Sequence, residues 1–260
     1  MLRVGSRLLV LALSLLLAVD TVFAQQTGQE IQDQHSQEAI AIAKRMAVFL
    51  SQVQRFSVTI DMGFDAVQDD GQKIEFGETR KVLVDRPDRL RVEETKRNGA
   101  TSEIIFDGNT IMIYYPMDNV YALANRPGTI DNAVSYFVND LGMRLPLSQL
   151  LDSKLAESLS GQVTSAAYVE KSSIGGVLCD QIALRGEEAD MQLWIAQGAE
   201  PLPQRIVITY RKLDGRPQFW AQFSDWNFKP KVSEKLFKVT PPEGATKIDF
   251  AVQQMLQPGQ

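Results

Sequence analysis

Residues 56–67, FSVTIDMGFDAV, alternate without a break. Phe56, Val58, Ile60, Met62, Phe64 and Ala66 fall on one side, and Ser57, Thr59, Asp61, Gly63 and Asp65 on the other. A period of two sends successive side chains to opposite faces, so this run predicts a half-buried antiparallel strand. QDDGQ (68–72) follows as a hairpin turn, because Asp70 and Gly71 tolerate positive φ. The next run, 73–84, sets Ile74, Phe76, Val82 and Val84 on one face but interposes Glu78 and Arg80. That is a strand whose middle emerges into water or a wet mouth. Further strands are expected at about 89–97, 101–106, 110–115 and 119–124, divided by Arg97-Asn98-Gly99, Asp107-Gly108-Asn109 and Pro116-Met117-Asp118. Strands resume at about 163–171, 176–186, 190–196, 204–212 and 217–228, with Leu213-Asp214-Gly215 turning the last pair. Short strands at this spacing form meanders.

Three segments change period. In 30–53, Ile40, Ala43, Ala47 and Leu50 recur at helical spacing, and Met46 and Val53 widen the stripe. In 129–141, Ile130, Ala133, Val134, Phe137, Val138 and Leu141 share a face, Thr129 or Asp131 is placed to cap the start, and Gly142 to end it. In 146–161, Leu147, Leu150, Leu151, Leu155 and Leu159 form a third stripe, stopped at Gly161. The expectation is an α+β chain, mostly antiparallel β, with about ten or more strands and three amphipathic helices. A sheet of that size must curl, split or close. Helices packed on the concave face of one curled sheet would bury their stripes and leave an apolar space between the layers.

The first residues read differently. Arg3 and Arg7 precede LLVLALSLLLAV (8–19), and Val22-Phe23-Ala24 supplies a cleavage site. The run is short for a membrane span, which needs roughly 20 apolar residues. Residues 1–24 are therefore expected as a signal peptide cleaved after Ala24, with a retained anchor as the alternative. No later segment can span a bilayer. Residues 25–260 read as one domain, with 249–260 as a candidate disordered tail. The net charge is −5, and loss of Arg3, Arg7 and Asp20 makes it one unit more negative. Without a cluster of Lys and Arg, nucleic acid is not an expected partner. Cys179 is the single cysteine, so an exported chain has no internal disulfide and depends on its packed core.

The candidate chemistry is sparse. His35 is the only histidine and lies in the polar start of the first helix, with no nucleophile elbow to serve. Cys179 reads as a small buried hydrophobe. No metal-ligand spacing, phosphate loop or dinucleotide fingerprint occurs, so neither metal nor cofactor is expected. Glu93-Glu94 and Glu187-Glu188 are adjacent pairs that would face opposite sides of a strand, as on a solvated edge. No catalytic residues are assigned and no enzyme is expected.

GETRKVLVDRPDRLRVE (77–93), FDGNTIMIYYPMDNVYA (106–122) and LFKVTPPEGATKI (236–248) occur in that order. In this, the chain from about 38 to 250 resembles the periplasmic carrier of outer-membrane lipoproteins and the wider Lol-type lipid-carrier superfamily. The nearer resemblance is to uncharacterised predicted periplasmic proteins with that fold. It implies a strongly curved incomplete barrel with helices as a lid on its concave side, enclosing a cavity for acyl chains. It also implies a periplasmic protein that binds or carries a lipid or the acyl chains of a lipidated molecule, with membrane-bound donor or acceptor proteins as further partners. Arg86 matches the arginine that holds the lid in the carrier, and Ile130, Val134 and Phe137 would belong to that lid. Phe56, Val58, Ile60, Met62, Phe64, Ile74, Phe76, Val82 and Val84 would line the cavity, although the same stripe also suits a core packed solid. The 160–200 region is longer than in the carrier, and Asp85 replaces its basic character before Arg-Pro. The resemblance thus bears on fold and ligand class more than on lipoprotein cargo. The alternative is an envelope sensor or adaptor that binds another periplasmic or outer-membrane protein.

Overall fold

The computed structural model describes residues 33–143 and 145–250. The expected leader, 1–24, and residues 251–260 of the expected tail lie outside the described residues. Helix α1 is described over residues 33–52. A meander follows: β1 (Arg55–Val67), β2 (Lys73–Asp85), β3 (Arg89–Lys96), β4 (Thr101–Phe106), β5 (Thr110–Tyr115) and β6 (Val120–Asn125). Helix α2 (Ile130–Ser135), a π-helical turn (Tyr136–Asp140), a 3-10 turn (Ser148–Leu151) and α3 (Leu155–Gln162) come next. The second meander is β7 (Ser165–Ile174), β8 (Val177–Arg185), β9 (Ala189–Ala196), β10 (Pro203–Tyr210) and β11 (Gln218–Asn227), and a short β12 (Thr246–Lys247) comes last.

All twelve strands form one sheet in the order β12-β6-β5-β4-β3-β2-β1-β11-β10-β9-β8-β7. Every described pairing is antiparallel except β12 on β6. The two meanders join where β1 pairs with β11, Ile60 facing Phe223 and Met62 facing Ala221. The outermost strands, β12 and β7, do not pair with each other, so the curled sheet stays an incomplete barrel, as expected. Because β6 lies near one edge and β7 forms the other, the chain between them must cross the sheet. Residues 126–143 and 145–164 belong to that crossing, and their cover over the concave face is termed the lid.

The helical segments depart from the sequence pattern in three ways. On α1 the buried row is Ala39, Ile42, Ala43, Met46, Ala47 and Leu50, while Ile40 is only half-buried. The alanines let the helix sit close to the sheet, which turns the stripe toward Ala39 and Ile42. The segment 129–141 starts at the Thr129 cap but passes into the π-helical turn after six α-helical residues. One extra residue in that turn brings Tyr136 inward and leaves Val138 exposed. The expected helix 146–161 is two pieces, broken at Asp152 in extended backbone. The Asp152 carboxylate accepts from Lys154 N at 2.8 Å and Ser158 Oγ at 3.3 Å, a local turn that competes with helix continuation.

One half of the concave face is filled. Met46 of α1 and Leu155 and Leu159 of α3 meet Leu184, Leu193, Ile206 and Ile208 of β8–β10, leaving only about 50 Å³ between them. After β11 the chain runs behind the sheet, where Arg91 Nη1 donates to Leu236 O at 3.0 Å. It then adds β12 at the edge through Thr246 N to Asn119 O, 2.9 Å. Phe250, inside the expected tail, is buried against Tyr136 and Phe137 of the lid. Among the described residues no helix is long and apolar enough to cross a membrane.

Candidate functional site

The other half of the concave face is not filled. Between β1–β5 and the lid lies a cavity of about 760 Å³, within the roughly 300–1,000 Å³ usual for ligand pockets. Its walls follow from strand alternation. Phe56, Val58, Ile60, Met62 and Phe64 of β1 line it, as do Phe76 and Val82 of β2. Two residues of the expected lining are placed elsewhere. Val84 is fully buried where β2 meets Phe56 and Leu90, in packed core. Ile74 is half out in solvent near the β1–β2 turn, opposite Ala66 and beyond the cavity rim. The sequence reading also missed the far wall: Leu90 and Val92 of β3, Ile104 and Phe106 of β4, Ile111 and Ile113 of β5. Alternation carried the signal for Leu90 and Val92, whereas β4 and β5 are continuous apolar runs that do not mark which face turns inward.

The lid supplies Val134 and Phe137, which line the cavity, whereas Ile130 is buried outside it. Met143, Leu145, Leu147, Leu150 and Leu151 complete the roof. Arg86 joins the pieces. Its Nη1 donates to Leu151 O at 2.8 Å and its Nε to Val53 O at 3.2 Å, at the end of α1. The backbone around it adds Arg86 N to Gln54 O and Ile130 N to Pro87 O, each 2.8 Å. Burial lowers the guanidinium pKa, and the charges of Asp131 and Asp152 oppose that effect. Asp131 in turn accepts from Ser153 N at 3.1 Å and from Ser153 Oγ at 2.5 Å, so α2 and the following turn are tied directly.

The cavity is apolar in its depth and polar toward the β3–β4 turn. There Arg80 Nη2 lies 2.5 Å from Glu78 and 3.1 Å from Glu94. Both glutamates are buried. The sequence reading has Glu78 and Arg80 emerge into water or a wet mouth and Glu94 lie on a solvated edge. Register corrects this: Glu94 pairs opposite Arg80 and faces inward, while Glu93 faces solvent beside Arg91. Glu187 and Glu188 are exposed and share Lys212. At the rim Phe64 and Phe76 stack with centroids 6.0 Å apart, and Phe76 is 41% exposed.

The remaining candidates lie apart from the cavity. His35 is exposed on α1, with its ring 6.4 Å from Tyr168. Cys179 is free and fully buried, and burial pushes its thiol pKa up. No group of three His, Cys, Asp or Glu side chains suited to a metal ion occurs among the described residues.

A family model described as Predicted periplasmic protein (DUF2092) matches residues 39–251. No curated protein matches the chain in sequence. Solved structures similar to it include an uncharacterized conserved protein from Thermus thermophilus, 14% identical over 82% of this chain and 99% of that one, with a TM-score of 0.47. The lipoprotein LppX of Mycobacterium tuberculosis is 16% identical over 75% of this chain and 98% of its own, with a TM-score of 0.46. A LolA superfamily protein from Nitrosomonas europaea is 15% identical over 79% and 98%, with a TM-score of 0.34.

Proposed function

We propose that this chain, which belongs to the family of predicted periplasmic proteins described as DUF2092, binds a lipid or the acyl chains of a lipidated molecule in the periplasm and carries it between membrane-bound partners. The observation that carries this reading is the cavity of about 760 Å³ between β1–β5 and the lid, walled by alternating apolar side chains. Each methylene moved from water into such a wall contributes about 0.8 kcal/mol. A chain of a dozen methylenes therefore gains roughly 10 kcal/mol before its ordering losses. Release needs an opposing term. Arg86, by holding Leu151 and Val53 in the closed arrangement, supplies bonds that ligand entry must break.

The test is to purify the mature protein from periplasm without detergent and record its native mass spectrum with lipid extraction. The expected result is a stoichiometric acyl-chain adduct, weakened in Phe64→Glu. A ligand-free mass that stays unshifted when phospholipids and lipopeptides are offered would remove the reading. One observation favours the adaptor alternative: among the described residues β7 is a free sheet edge, and on it and its neighbour β8 Val169, Val177 and Leu178 are exposed, Leu178 by 67%. A co-purifying protein in place of lipid would decide for it.

A further inference from the structure

The inward positions of β2 and β3 are apolar except at four neighbouring sites. Glu78 and Arg80 on β2 face Lys96 and Glu94 on β3, so each cross-strand pair joins opposite charges. Read along either strand, the signs also alternate. The result is a square of charges with no net charge, set in the cavity wall. Ser102 of β4, opposite Glu94, extends it by one hydroxyl. Three other charges at this end, Arg97, Glu75 and Asp65, also reach the cavity lining, but each is engaged by a partner outside the square. Arg97 pairs with Asp61 at 2.5 Å, Glu75 accepts from Trp220 Nε1 at 2.9 Å, and Asp65 lies 3.8 Å from Lys73.

Two observations show that the square is not satisfied by its own members. Arg80 Nε is buried without a hydrogen-bond partner among the described residues. Burial, the largest effect on Glu78, raises its carboxyl pKa even with Arg80 and Lys96 acting in the opposite direction. A buried ion pair adds little stability over well-packed apolar side chains. Four apolar residues would complete the wall at lower cost, and their place is instead taken by groups that still have donor and acceptor capacity to offer.

We infer that this square seats the polar head of the ligand and selects a zwitterionic head over a net-charged one, with the acyl chain running inward past Val82 and Val92. An ammonium group is drawn to the Glu78 and Glu94 carboxylates, and a phosphate to the Lys96 ammonium and the free Arg80 Nε–H. A head with a net negative charge gains only the second contact and is repelled by the two carboxylates. The inference rests on the lipid-binding reading.

The test compares lysophosphatidylethanolamine with lysophosphatidylglycerol of the same acyl chain, below their micellar concentrations, with a free fatty acid alongside. Binding is read from native mass spectra and from the emission of Trp226, which lines the cavity. The expected result is at least about tenfold tighter binding of the ethanolamine lipid, equal to about 1.4 kcal/mol. Glu78→Gln leaves the square net positive and should shrink that ratio to about threefold or less. Lys96→Gln leaves it net negative and should widen the ratio. Opposite shifts from two neighbouring substitutions cannot come from a common loss of packing. Equal affinities in the parent protein, or shifts of the same direction in both variants, would overturn the headgroup inference while lipid binding stands. If no amphiphile binds at all, both readings fall together.

Discussion

At Glu78 burial and charge pull in opposite directions. Burial raises the carboxyl pKa most, Arg80 lowers it and Glu94 raises it further, and the sum lies above the ordinary carboxylate value. The folded protein therefore holds this proton more tightly than the unfolded chain. The stability that follows is fully present below the unfolded value and is lost as pH rises through the folded one. Glu78→Gln removes the dependence. Thermal melts across pH should show parent and variant close together in acid and the variant gaining as pH rises above the ordinary carboxylate range. A parent that gains on the variant over the same rise contradicts this balance. Arg86 presents a different case, because its guanidinium meets backbone carbonyls rather than carboxylates. Hydrogen bonds from a charged donor contribute about 1.5–3 kcal/mol each when buried, reduced here by partial exposure. Arg86→Leu should cost roughly 2 kcal/mol, a Tm drop of about 4–8 °C for a domain of this size. It should also speed entry of a fluorescent fatty acid severalfold. Loss of stability with unchanged entry rate would make Arg86 a structural tie and not a gate.

At the scale of elements, the strands were legible and the lid was not. A strand needs only a short alternating or apolar run and a turn residue to stop it, and both are printed in the sequence: β4 and β5 occupy the expected residues, with Gly99 and Gly108 at positive φ in the turns before them. The lid depends on competition between backbone and side chains. Asp152 draws Lys154 N and Ser158 Oγ into a local turn, and Asp131 takes Ser153 from 22 residues away. A helical stripe of leucines cannot report either. Alternation does put Glu94 on the face of Leu90 and Val92, but its partner there, Arg80 on another strand, follows only from register. β12 is two residues held through backbone groups at Asn119 and Tyr121, with no side-chain pattern to betray it. The Asp131–Ser153 tie gives the element-scale prediction. Asp131→Ala removes both acceptors, with an expected cost of about 1–2 kcal/mol. Amide exchange should quicken in residues 148–155 and stay unchanged in β8–β10. Uniform acceleration across the sheet would show that the tie supports the whole fold and not the lid.

The whole molecule divides one sheet between two duties. The β8–β10 half is packed by α1 and α3 to within about 50 Å³, while the β1–β5 half keeps about 760 Å³ beneath the lid. The packed half anchors the fold, so the cavity half, which the strap ending at Phe250 backs at β3 and β6, is relieved of being solid core. Apolar walls that lack packed neighbours forgo dispersion contacts, and a ligand that enters restores them. Such a ligand binds the folded chain and not the unfolded one, so it must raise thermal stability by mass action. At a free concentration of about 100 times Kd the gain is about 2.7 kcal/mol. For a domain of roughly 150–250 residues each kcal/mol moves Tm by about 2–4 °C. A cognate lipid at that excess should therefore raise Tm by about 5–10 °C, measured by scanning calorimetry on delipidated protein. The same lipid should do far less for Phe64→Glu, whose new charge sits at the rim where the chain must pass. A lipid that binds by mass spectrometry yet leaves Tm unmoved would have to bind folded and unfolded chains alike, as a surface adduct does and a cavity ligand does not.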